Sequence, residues 1–250
     1  MKFNNLGAKE IFDLYEKGVD YKCSINLYKD VERNQNFYIG NQWEGVDAPD
    51  LPKPVFNIFK RVVNFLVSSV FSDDICIQAS PLSNKNRPEI VKLTKAVNGV
   101  FEETLEDTKY RSKLRDMLTS CAIDGDGCFY LYFDPSVETG QGFKGAISIE
   151  NIDNLNVFFG DPATSEVEMQ PYIIISKRQF ADELREEAKR AGVLDYEAIT
   201  PDSDEYEINR DNETSSEKVT VLLFLYRDKG TIHYIKTTRN VILSGPIDTG

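Results

Sequence analysis

The stretch KVTVLLFLYRDKGTIHYIKTTRNVILSG, Lys218–Gly245, decides the fold class. Its first half is a run of Val, Leu, Phe and Tyr, residues that fit a packed, pleated surface. Asp228-Lys229-Gly230 supplies a turn, and the run then resumes. The spacing predicts a β-hairpin, with a further strand at Val241–Leu243.

Upstream, the same signals recur. CFYLYFDP (Cys128–Pro135), GAISIENI (Gly145–Ile152), NVFFGDP (Asn156–Pro162) and PYIIIS (Pro171–Ser176) are short apolar runs divided by Gly, Asp and Pro. That is the pattern of an antiparallel or mixed sheet. One helix interrupts it, in SKRQFADELREEAKRAG (Ser176–Gly192). Ser176 and Gln179 read as its capping box, Phe180, Leu184 and Ala188 as its buried stripe, and Gly192 as its stop. Glu197–Glu217 holds eight acids and one base and reads as a solvated loop.

The first half of the chain has helical spacing. Apolar residues recur at Ile11, Leu14/Tyr15, Val19, Ile25, Tyr28 and Val31, with Gly18 as the expected division into two helices and Gly40 as the stop. Three prolines in Pro49–Pro54 make the next segment a loop. Asn57 is placed as the N-cap of a helix over Ile58–Val70, whose apolar residues cover so much of its circumference that it reads as buried between layers. ICIQASP (Ile75–Pro81) alternates like a strand. The longest helical pattern runs from Pro88 to about Ile123, with a more polar stretch at Thr104–Arg111 that reads as a bend or as a segment leaving the core. DGDG, with Gly125 and Gly127, then turns the helix into the Cys128 strand.

The reading is therefore α+β: long N-terminal helices packed with a mixed or antiparallel sheet and one covering helix. It takes residues 1–250 as one domain, helical over about 1–123 and sheet-rich over about 124–250. The end, SGPIDTG, lacks a final packed element and reads as a cut, with more of the protein expected beyond Gly250.

Composition narrows the function. The chain has 250 residues, 41 acidic against 29 basic, and a net charge of −12. Tight DNA-binding proteins show basic patches, because phosphate neutralisation dominates their affinity. Cys23, Cys76, Cys121 and Cys128 form no C-x-x-C pair and there is one histidine, so no zinc site is expected, and the thiols read as reduced. The most apolar run, Val55–Phe71, contains Lys60, Arg61 and Asn64 and is too short and polar to span a bilayer. No signal peptide is visible, and an intracellular product is expected.

No catalytic constellation emerges. His233 lies in a predicted strand and reads as a half-exposed strand residue, not a general base. There is no phosphate-binding glycine loop. An EF-hand loop starting at Asp124 would need Glu at its twelfth position, where Pro135 stands. The D-x-K of Asp107–Lys109, with Lys113 and Arg115 beyond it, reads as a solvated helix face. No enzyme, cofactor or metal is expected.

One stretch stands out: NQNFYIGNQWEG, Asn34–Gly45, which holds the only tryptophan. With PVFNIFKRVVNFLVSSVF, ICIQASP, AIDGDGCFYLYFD, ISIENIDNLNVFFGDPAT and PYIIISKRQFADEL following in that order, it resembles the N-terminal half of tailed-bacteriophage portal proteins. There a DFY-x-G-x-Q-W-like segment precedes an apolar helix opened by Asn. Asn36 stands where that pattern has an acid, and Asn154 where it has proline. The resemblance spans most of Ala8–Leu184 and implies the portal wing fold. It implies a homo-oligomeric ring, typically of twelve subunits, at one capsid vertex of the virion, assembled in the host bacterial cytoplasm. Double-stranded DNA would pass through without sequence-specific binding and without any membrane. The terminase large subunit, head–tail adaptors, and capsid and scaffolding proteins would be its partners, and stem and clip parts would follow Gly250. A metal-dependent nuclease using Asp107, or a head–tail adaptor, is the alternative. On either account Phe37, Tyr38, Gly40, Gln42, Trp43 and Asn57 read as a packing joint between two helices, with Gly125 and Gly127 as a second turn.

Overall fold

A computed structural model describes residues 3–47, 50–71, 78–81, 87–138, 144–164, 166–202 and 217–248. Among them run α1 (Ala8–Ser24), α2 (Leu27–Ile39), α3 (Ile58–Phe71), α4 (Pro88–Asp107), α5 (Tyr110–Asp124), β1 (Cys128–Glu138), β2 (Lys144–Ile152), β3 (Val157–Phe159), β4 (Tyr172–Phe180), α6 (Ala181–Arg190), β5 (Lys218–Asp228), β6 (Thr231–Thr237) and β7 (Ile242–Asp248). Both sheets they form are antiparallel, so the chain is α+β. Contacts divide it into two compact units, one of residues 1–32 with 155–250 and one of residues 33–154. The helical and sheet-rich parts that the sequence suggests, meeting near residue 123, are not these units. The first helix joins the C-terminal sheet because its apolar stripe finds its cover there.

In the first unit, β3 to β7 form a five-stranded meander in chain order. Its central strand, β5, is apolar on both faces, and alternation sorts its side chains. Leu222, Phe224 and Tyr226 meet Ile11, Phe12 and Tyr15 of α1, together with Phe158, Ile174 and Ile235. Val219 and Val221 point the other way and meet Ala181, Leu184 and Ala188 of α6, with Ile199, Val241 and Leu243. The sheet thus has a helix on each face, and the first of them, α1, comes from the chain's beginning. The β5–β6 turn is Lys229-Gly230, both at positive φ, as a two-residue hairpin loop requires.

Several sequence expectations are corrected here. Gly18 does not divide the first helix; Asn26, at φ 58°, does. Gly18 lies inside α1, where a Cβ would come 2.7 Å from the Phe158 ring, so its lack of a side chain lets helix and sheet approach. Ser176 and Gln179 are not a capping box. They pair with Leu222 and Val219 in the β4–β5 ladder, which holds the backbone extended as far as Phe180. Phe180 is then the residue before α6 and is exposed, and Ala181 takes its place in the buried stripe. The segment from Glu197 is not all excursion. Ile199 is fully buried, and the Asp202 carboxylate accepts the Thr220 N–H at 2.9 Å and pairs with Arg178. Residues 203–216 of the acidic loop lie outside the described residues.

In the second unit, α5 packs against α3, α4 and β2, and β1 pairs with β2. The long helical pattern breaks at Thr108–Lys109, with Lys109 at φ 53°, inside the more polar stretch Thr104–Arg111. Of the predicted Ile75–Pro81 strand, residues 75–77 lie outside the described residues and Gln78–Pro81 has no strand pairing. The expectation for the Ile58–Val70 helix is overturned. Only Val63 and Val67 of α3 are buried; Ile58, Phe59, Val62, Phe65, Leu66 and Val70 are exposed. One narrow stripe suffices to dock it on α5, and apart from Phe37 on Phe59 and Tyr38 beneath Lys60 the described residues leave the rest exposed.

Candidate functional site

The stretch Asn34–Gly45 forms a joint within the second unit. α2 ends at Ile39, and Gly40 turns the chain at φ 93°, a conformation that strains any side chain. The loop returns so that Asn57 meets the end it left. Asn57 Nδ2 donates to the Tyr38 carbonyl at 2.8 Å, and its Oδ1 accepts the Lys60 N–H at 3.0 Å. One amide therefore closes α2 and caps α3. The Phe37 and Phe59 rings meet edge to face at 5.4 Å, and the Lys60 ammonium lies 5.7 Å from the centre of the Tyr38 ring. The Gln42 amide and the Trp43 indole N–H both donate to the Pro54 carbonyl, each at 3.1 Å.

The structure thus brings Phe37, Tyr38, Gly40, Gln42, Trp43 and Asn57 together at one turn. It corrects one of them. Trp43 is 37% exposed and lies along the loop, because its indole is tied to Pro54 and not to the α3 face. Gly125 and Gly127 lie elsewhere in the unit, at the α5–β1 turn. Gly125, at φ 92°, donates to the Cys121 carbonyl at 2.9 Å and ends the helix. At Gly127 a Cβ would run into Cys121 and Met117. Near this turn Gln35 donates to the Asp124 carboxylate at 3.3 Å, while burial pushes that carboxyl above the usual range. Burial also pushes up the Cys121 and Cys128 thiols, and the sulfurs of Cys23, Cys121 and Cys128 form no disulfide.

Among the described residues, no group of three or more His, Cys, Asp and Glu is placed to hold a metal. His233 is half-buried in β6, stacked on Tyr226 at 5.5 Å. Asp107 ends α4 on its exposed side. No described helix is long and apolar enough to cross a membrane.

Sequence reasoning missed Lys22. It is buried in the first unit, where its Nζ donates to the Leu155 carbonyl at 2.8 Å and sits 3.8 Å above the centre of the Phe158 ring. Burial brings its pKa down to about 7. It borders a cleft of about 260 Å³ lined by Leu14, Lys17, Gly18, Tyr21, Gly160 and Tyr172, among others. The signal was present: Ile11, Tyr15, Gly18 and Lys22 fall at i, i+4, i+7 and i+11, so Lys22 continues the buried stripe.

No protein-family model matches the chain, and no curated protein sequence matches it significantly.

Proposed function

We propose that this chain is a structural, non-enzymatic subunit of a portal ring, the conduit for double-stranded DNA at one capsid vertex of a tailed bacteriophage. In that role it serves genome packaging and ejection, and it offers a docking platform for the terminase and the head–tail adaptors. The reading comes from the ordered segments that resemble portal proteins. The observation that carries it from sequence into three dimensions is the joint at Asn34–Gly45. The stretch that opens the resemblance is built for packing, not for ligand binding. It fixes the start of a helix, α3, that turns most of its apolar surface outward. A surface of that kind suits a subunit that is completed by assembly. The net charge of −12 supports the same reading, since strong phosphate contacts would brake a sliding duplex.

Electron microscopy of the purified protein across a range of salt concentrations tests it. Rings with a central channel are the expected result, and single subunits under every condition would overturn it. Incubation with DNA and magnesium or manganese should leave the DNA intact. Metal-dependent cleavage abolished by Asp107→Ala would replace the ring with a nuclease.

A further inference from the structure

The second unit exposes two apolar helix faces of opposite electrostatic character. On α3, Ile58, Val62, Phe65 and Leu66, with Phe56 just before the helix and the side of Phe59 turned away from Phe37, lie exposed; Phe65 is 71% exposed. Ile58, Val62 and Phe65 fall on one stripe at i, i+4 and i+7. On α4, which has no buried residue at all, Leu93 (66% exposed) and Val100 (59%) share a stripe with Ala96. Both helices pack on α5, through their other sides.

Area argues for a protein partner. The α3 side chains leave on the order of 700 Å² of apolar surface uncovered, taking roughly 150–250 Å² for a whole aromatic side chain. The largest apolar patch on an ordinary monomer is about 300–600 Å². Together with the α4 stripe the surface reaches on the order of 1,000 Å². With a polar rim added, that is within the roughly 1,200–2,000 Å² of a specific interface.

Charge decides which partner and which arrangement. The first turn of α3 carries Lys60 and Arg61, at the positive end of its helix dipole. On α4 the stripe of Leu93, Ala96 and Val100 runs on into Glu103 and Asp107, at the negative end of that dipole. An α3-to-α3 contact would give Lys60 and Arg61 no acid to pair with, since α3 carries no other charge. An antiparallel α3-to-α4 contact pairs bases with acids and apolar stripe with apolar stripe.

We infer that the partner on the α3 face is a second copy of this chain, which presents its α4 stripe head-to-tail, with Phe65 against Leu93–Val100 and Arg61 against Glu103 and Asp107. Because the two faces differ, every copy keeps one of each free for the next, and the contact generates a ring or a filament, not a closed dimer. The inference rests on the ring reading above and names the surfaces that would build it.

The test uses two exposed substitutions in the full chain, Phe65→Asp and Val100→Asp, with masses followed by analytical ultracentrifugation. Wild type assembles. Each variant alone should be a monomer, its subunit affinity weakened at least tenfold. Mixed one to one, the two variants should form dimers and stop there, because one intact α3 face still meets one intact α4 face. Swapping Lys60→Glu and Arg61→Glu should also dissociate the assembly, and adding Glu103→Lys and Asp107→Lys in the same chain should restore it. Rings that persist in both variants would overturn this interface and leave the ring reading standing. A mixture that stays monomeric, or a fourfold charge swap that does not reassemble, would overturn the head-to-tail pairing. Wild type that is monomeric at every concentration would overturn this inference and the ring together.

Discussion

Asn57 holds the end of the helix that precedes it by 19 residues of chain: its Nδ2 donates to the Tyr38 carbonyl at 2.8 Å. Its Oδ1 meanwhile caps α3 through the Lys60 N–H. The two bonds can be separated by substitution. Asn57→Ala removes the cap and the Tyr38 bond and should lower stability by about 1–3 kcal/mol. Asn57→Asp keeps a good cap and loses only the donor, so its loss should be about half as large. Urea unfolding of both variants measures this. Equal losses would mean that the Lys60 cap contributes nothing, and no loss in Asn57→Asp would mean that the Tyr38 bond contributes nothing.

A fully buried Trp43 would lose roughly 3–5 kcal/mol on truncation to alanine. The structure sets a smaller value. With over a third of its surface exposed and one hydrogen bond to Pro54, Trp43→Ala should lower stability by about 1–2 kcal/mol. Trp43→Phe, which keeps most of the ring contact, should lose no more than the bond, about 0.5–1.5 kcal/mol. Thermal or urea unfolding of the dissociated subunit checks both. A loss of the full buried size would show that the indole is packed in solution.

The joint was legible in the sequence because its causes are local. A glycine after the last helical residue, prolines in the loop and an asparagine before an apolar run each act within a few positions. The hairpin at Lys229-Gly230 was legible for the same reason. What could not be read was which surface covers which. Nothing periodic in Ile11, Phe12 and Tyr15 says that they meet Phe224 in the sheet. The apolar circumference of α3 announces that it needs cover but not that the described chain leaves it open. Ser176 misled because serine before a helical pattern signals a cap only if the preceding strand has ended, and strand length is set by β5, more than forty residues on. Lys22 was overlooked because its charge argues for solvent while its position continues the buried stripe, and position won.

Gly18 gives a prediction against the usual propensity. In an exposed helix interior, Gly→Ala gains about 1 kcal/mol. At Gly18 the new Cβ would meet the Phe158 ring at 2.7 Å, closer than real contacts allow. Phe158 is buried and also lies against Tyr15 at 4.8 Å, so the ring has little room to yield. Gly18→Ala should therefore destabilise by about 1–3 kcal/mol, the usual cost of overpacking. The control is Gly99→Ala in α4, where a Cβ meets nothing within 4 Å and the usual gain should appear. If both substitutions stabilise, α1 does not approach β3 as closely as described.

Lys22 makes stability rise with pH, the same sign as a salt-bridged carboxylate but in an alkaline window, and opposite to a salt-bridged lysine. Unfolded, the amine titrates near its ordinary 10.5; folded, burial brings it to about 7. Below pH 7 both states hold the proton, and the folded state bears the whole cost of a desolvated ammonium, partly offset by the Leu155 carbonyl and the Phe158 ring. Between pH 7 and 10.5 the unfolded chain holds a proton that the folded chain has released, so stability rises with pH across that window. The slope approaches about 1.4 kcal/mol per pH unit in its steepest part. Lys22→Met fills similar space without a titrating group. It also leaves the Leu155 carbonyl without this donor, an offset that does not vary with pH. Relative to that variant, the native protein should gain roughly 2 kcal/mol of stability between pH 7.5 and 9.5, measured by urea unfolding at each pH. Every other titrating group is common to the two proteins and cancels in the difference. If the two stability curves run parallel over that range, Lys22 is hydrated in the folded state and does not share the stripe with Ile11 and Tyr15.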